Sequence, residues 1–172
     1  METMTYETTR KTVSAGAKSI NVKALPEKGK PENFTGAVGA FDFTVKASKS
    51  QLKAGESLDL VVTASGNGNL KLFQLPKPEF PNAFEVFDPQ HKEEVNTPLT
   101  GMTGKISDTY TIIPQFKGKY TIKPQTFSYF DLKSNSYKTL TSEPIEITVL
   151  EGNAVASSTP NNNKKPVVKN DT

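Results

Sequence analysis

Short runs that alternate apolar and polar residues recur between Ala37 and Glu151, and no window there keeps apolar side chains at helical spacing. Phe41, Phe43 and Val45 alternate with Asp42, Thr44 and Lys46. Leu58, Leu60 and Val62 form a second inward row, and Ile106, Tyr110 and Ile112 a third. Residues 84–87, 120–122, 126–130 and 144–150 add further short runs. Turn signals separate them: Gly55 after Leu52, the string Ser65-Gly66-Asn67-Gly68-Asn69 as a turn or bulge, Gly118, and residues 131–135. Roughly seven or eight short strands with such spacing predict an all-β, two-sheet β-sandwich over residues 37–151, of the immunoglobulin-like or fibronectin-like class. Cysteine and tryptophan are both absent, so the disulfide and core tryptophan of antibody domains are not available. Burial of Phe, Leu, Ile and Val must hold such a fold, at about 1.5–3 kcal/mol per buried side chain before entropy is subtracted.

The flanks read differently. Residues 6–13 and 19–25 are rich in strand formers, and Ser14, Ala15 and Gly16 lie between them as a turn. Lys11-Thr12-Val13-Ser14, five residues, then Ile20-Asn21-Val22 matches Lys138-Thr139-Leu140-Thr141, five residues, then Ile147-Thr148-Val149. Residues 1–24 are therefore expected to form the terminal hairpin of a preceding β domain of the same type. Residues 25–36 hold Pro26, Gly29 and Pro31 among charges and read as a stiffened linker. Residues 152–172 collapse to Asn, Ser, Pro, Lys and Thr and read as a disordered polar tail. Residues 70–72 start a short strand, Pro76, Pro78 and Pro81 break the chain after it, and residues 93–105 are expected to be a loop or irregular edge.

Composition excludes several functions. Thiol catalysis and cysteine-zinc sites are ruled out by the missing cysteine. The net charge of +3 comes from the flanks, through Arg10, Lys11, Lys18, Lys23, Lys28 and Lys30 in front and Lys164, Lys165 and Lys169 behind. Nucleic-acid binding wants a concentrated basic face with stacking aromatics, and here the aromatics follow strand patterns, so no nucleic-acid partner is expected. No apolar run approaches a membrane span, and any membrane attachment would have to come through other segments.

No catalytic, cofactor or metal residues are expected. His91 is the only histidine, and the charges around it read as a solvated loop. Gly36 and Gly39 lack the Lys-Ser/Thr ending and the helix of a phosphate loop, and read as sites of close backbone approach. Asp88, Glu93, Glu94 and Asp108 lack the alternation of a calcium loop. Asn33-Phe34-Thr35 fits a glycosylation sequon but carries little weight. The candidate partner-binding residues are Phe73, Phe80, Phe84 and Phe87, in the proline-rich segment where sheet burial is hardest to guarantee.

Leu25-Pro26, the string from Pro31 to Gly39, Lys53-Ala54-Gly55-Glu56-Ser57, the string from Ser65 to Leu70, Phe87-Asp88-Pro89, the string from Pro114 to Pro124, and Tyr129-Phe130-Asp131 together resemble the BatD family, the Bacteroides aerotolerance proteins. The resemblance covers residues 25–150. It implies an interior piece of a large exported, membrane-anchored protein whose tandem β-sandwich domains face the periplasm. It also implies partners, namely von Willebrand factor A-type and tetratricopeptide Bat proteins, and a link to oxygen or stress tolerance. The family brings no catalytic motif. The expectation is a non-enzymatic interaction or scaffold domain; the alternative is a carbohydrate- or cell-envelope-binding sandwich.

Overall fold

A computed structural model describes residues 3–153. The expected polar tail lies, from residue 154 onward, outside the described residues. The strands are β1 (Gly39–Ala47), β2 (Gln51–Lys53), β3 (Leu58–Gly68), β4 (Phe84–Val86), β5 (Gln90–Asn96), β6 (Thr103–Pro114), β7 (Gly118–Ile122), β8 (Thr126–Asp131), β9 (Ser136–Thr141) and β10 (Ile145–Leu150). Among the described residues there is no helix, and so none long and apolar enough to cross a membrane.

One layer is the antiparallel sheet β1-β3-β6-β4, with β5 also paired to β6. β4 faces residues 112–114 of β6 and β5 faces residues 103–109, so the two are one edge strand interrupted at Asp88-Pro89. The other layer is β2-β10-β7 together with the pair β8-β9. Here β7 and β8 are consecutive halves of one strand, and β9 and β10 of its partner. Pro124 separates the first two and Pro144 the second two. Backbone bonding across the break continues through Ser142 N–H to the Gln125 carbonyl at 2.8 Å. Each proline removes a ladder donor where a long strand bends. The Tyr120 hydroxyl donates to the Phe116 carbonyl at 2.9 Å, the tyrosine-corner contact of immunoglobulin-like sandwiches.

Alternation decides the core. Leu58, Leu60 and Val62 from β3, Ile106, Tyr110 and Ile112 from β6, and Ile147 and Val149 from β10 are all buried, as their period predicts. Phe41 meets Phe73, Phe127 and Tyr129 edge-on, with centroids 5.3, 6.0 and 5.5 Å away. Gly39 and Gly68 face each other across β1 and β3. A Cβ on Gly39 would lie 2.7 Å from the Gly68 Cα and would run into the Asn67 carbonyl, so the close approach read from the sequence is real.

Four local expectations need correction. The string from Ser65 to Asn69 is neither a turn nor a bulge through most of its length: β3 runs on to Gly68 in unbroken register, because Gly66 and Gly68 let β1 pair closely beside it. Residues 70–72 are not a strand but a turn, closed by Leu72 N–H to the Asn69 carbonyl at 2.8 Å. Residues 93–105 are a loop only at 97–102. They hold most of β5 and the start of β6, hidden from pattern reading by the charges an edge strand carries. Residues 3–24 form no hairpin; they carry no strand, and Ile20 and Val22 stand exposed. The reason lies in their echo. Lys138–Thr141 falls in β9 and Ile147–Val149 in β10, and these two strands do not pair with each other: β9 bonds β8, while β10 bonds β7 and β2. The pattern encodes two strands that each need a third, and an isolated pair is marginal in water in any case.

The lead-in to β1 is fastened along β8. Asn33 donates its Nδ2 to Thr126 Oγ1 at 2.9 Å and accepts from Ser128 Oγ at 3.0 Å. Phe130 N–H then donates to the Ala37 carbonyl at 2.8 Å. Phe34 and Phe130 both pack edge-on against Tyr137. The side chain of the sequon asparagine is thus occupied in holding this segment.

Candidate functional site

Between β3 and β4 the chain crosses from Leu70 to Ala83 without forming a strand. Pro76, Pro78 and Pro81 deny it regular pairing, yet Leu70, Phe73 and Leu75 still turn inward and are buried. The crossover therefore lies over the end of the core without sealing it. Two depressions flank it, of about 420 and 490 Å³, and they adjoin at Lys77, Pro89 and Tyr110 as the two halves of a cleft.

The four candidate phenylalanines divide along this cleft. Phe73 and Phe84 are 7% exposed and belong to the core, Phe84 against Tyr120 with ring centroids 4.9 Å apart. Phe80 is half-buried and tilts against Tyr110 at 5.5 Å. Phe87 stands 47% exposed on the cleft wall. Only Phe80 and Phe87 offer ring surface to a partner, because residues 73 and 84 sit at positions where the sandwich itself closes over them.

The far wall is polar. β5 places His91 directly opposite Asp108 of β6, with Glu93 two residues on and so on the same face. His91 Nδ1 lies 2.6 Å from Asp108 Oδ1, and Nε2 lies 3.3 Å from Glu93 Oε1. His91 is thus solvent-exposed, as expected, but it is not in a loop. It sits on a strand, between two carboxylates, in the cleft that also holds Tyr110. The signal missed was the strand itself: Gln90-His91-Lys92-Glu93-Glu94 has no apolar alternation to announce it. The hydrogen bond to Asp108 is the main cause that raises the imidazole above its ordinary 6.5, against a smaller desolvation that lowers it. Desolvation, and then the Asp108 charge, push the Tyr110 phenol up.

On the outer face of the same strand pair, Glu94 bonds Lys92 at 2.8 Å and Lys105 at 2.9 Å. Those two ammonium groups, Lys92 first, hold its carboxyl down to about 2. Glu93 and Asp108 thus meet at His91, while Glu94 faces Lys92 and Lys105 on the other side of the strand pair. The doubly bonded imidazole can carry a charge and anchor a polar group. Both ring nitrogens face carboxylates, and among the described residues no hydroxyl is hydrogen-bonded to the ring.

A family model described as the BatD DUF11-like domain matches residues 45–149, from β1 through β10, and so takes in the whole cleft. No curated protein and no solved structure matches the chain.

Proposed function

The chain belongs to the BatD family, and from that premise we propose that it is a non-enzymatic protein-interaction module of a BatD-type protein. In this reading the module faces the periplasm, and membrane attachment comes through other segments of the protein. It positions von Willebrand factor A-type and tetratricopeptide Bat proteins in an assembly that serves oxygen or stress tolerance. The observation that carries the interaction reading is the exposed ring of Phe87 on a cleft with an apolar floor and a charged far wall. Aromatic anchors beside desolvated pockets dominate protein interfaces.

The test is capture from detergent-solubilised membranes with the tagged chain as bait and mass-spectrometric readout. Enrichment of von Willebrand A-type proteins, reduced about tenfold by Phe87→Glu, is the expected result. Equal recovery with wild type and F87E would remove the cleft from the reading. A second reading has one observation in its favour. Phe80 and Phe87 share the cleft with Gln74, Asn82 and Asp88, the mix of ring faces and polar groups that sugars bind. Retention on cell-wall glycan without any protein partner would move the assignment there.

A further inference from the structure

Three hydrogen-bonded turns share one end of the sandwich, and each exposes a leucine. The strand registers place them together. Gly39 pairs with Gly68, Asn67 with Thr103, Asn96 again with Thr103, and Val38 bridges Phe130. The turn after β3, the β5–β6 turn and the β8–β9 turn therefore all project from the end at which β1 begins. A shallow depression of about 290 Å³ joins the last two, with Gly101 and Leu132 on its rim.

Leu72, Leu99 and Leu132 are 73, 110 and 66% exposed. None is a loose loop residue. Leu72 N–H closes its turn onto Asn69. Leu99 lies inside the turn closed by Gly101 N–H to the Pro98 carbonyl at 3.0 Å. Leu132 comes directly after Asp131, whose carboxylate accepts from Lys133 N–H at 3.0 Å and Ser134 Oγ at 2.9 Å. Turns of this kind usually carry polar residues, and the core gains nothing from three leucines there.

The exposed charge adjoining these leucines is positive. Lys71 and Lys133 adjoin two of them and are exposed. The carboxylate beside Leu132, that of Asp131, is buried and bound to Lys138 at 2.7 Å. We propose that this end docks on an anionic phospholipid surface. The three leucines enter the boundary between headgroups and acyl chains, and Lys71 and Lys133 meet lipid phosphates. A bilayer accepts three separated apolar tips independently, whereas a protein would need three pockets in register. This surface adjoins the cleft at Lys71, which lines it, whereas Leu99, Leu132 and Lys133 lie outside the cleft lining.

The full chain is sedimented with vesicles of phosphatidylcholine alone and of phosphatidylcholine with phosphatidylglycerol. Expected is binding to the anionic vesicles that weakens as salt rises. The triple variant Leu72→Asp, Leu99→Asp, Leu132→Asp should lose affinity about tenfold or more, and Lys71→Gln with Lys133→Gln should flatten the salt dependence. All five side chains are exposed, so an unchanged urea midpoint certifies that the variants are folded. Absence of wild-type binding overturns the proposal. So does full binding by the triple leucine variant, which would assign the attraction to the basic residues before Leu25. Capture of a protein through this end with no vesicle binding would overturn it in favour of a protein interface.

Discussion

His91 is the single histidine of the chain, so its titration can be followed by NMR without overlap. Its raised value in the fold means that the native state holds the proton more tightly than the unfolded chain does. The stability this contributes is complete below the unfolded value of 6.5 and is lost as pH rises through the higher folded value. The side chain is nearly half exposed, so screening keeps the contribution under about 1 kcal/mol. Asp108→Asn should bring the imidazole titration down toward 6.5 and flatten that stretch of the pH–stability curve; an unmoved titration would mean Asp108 is not the cause. Gly68 poses a steric problem instead. It holds φ at 154°, and an added Cβ would press on Phe41 and on the Val38 carbonyl. Gly68→Ala should cost about 1–3 kcal/mol by urea unfolding, while Gly16→Ala, with nothing within 4 Å, should cost nothing measurable.

At the scale of the strand, identical patterns have different fates. Ile147 is fully buried in β10, whereas Ile20, its counterpart in the echoed sequence, is 85% exposed. Truncation to alanine should cost about 2–5 kcal/mol at Ile147 and close to zero at Ile20, measured by urea unfolding of each variant. That contrast shows what the amino-acid pattern could reveal. Alternation alone located β1, β3, β6 and β10, because their buried face writes itself as every second residue. It could not say which strand pairs with which, so residues 3–24 looked like a hairpin when their echo belongs to two different pairings. Nor could it find β5, whose cleft-facing His91 and Glu93 are as polar as its outer Lys92 and Glu94. The cleft was half visible. The prolines of the crossover drew attention to Phe80 and Phe87, but the His91–Asp108 pairing depends on a register between strands that begin 13 residues apart, at Gln90 and Thr103.

For the whole molecule, the five-stranded layer sets the order of stability. β3 and β6 are its inner strands and carry Leu60, Val62, Ile106 and Ile112, all at or near zero exposure. Native-state hydrogen exchange should find their amides the slowest, with β5 and β9 faster and residues 3–25 exchanging at the rate of an open chain. Protection of residues 3–25 comparable to that of β3 would mean that they find partners in solution.

After a lead-in held along β8 from Asn33, β1 begins beside the leucine-bearing turns at Val38, and the chain leaves the sandwich after Leu150, whose carbonyl accepts from Ala54 N–H at the opposite end. The domain thus does not return the polypeptide to the end at which β1 begins. Between those two points lies the full length of β6, 12 residues and roughly 40 Å of extended chain. The leucine-bearing turns and the exit after Leu150 are kept apart by a stiff strut of fixed reach. A module of this kind works as a measured spacer, setting how far the chain beyond Leu150 stands from any surface that the leucine end touches.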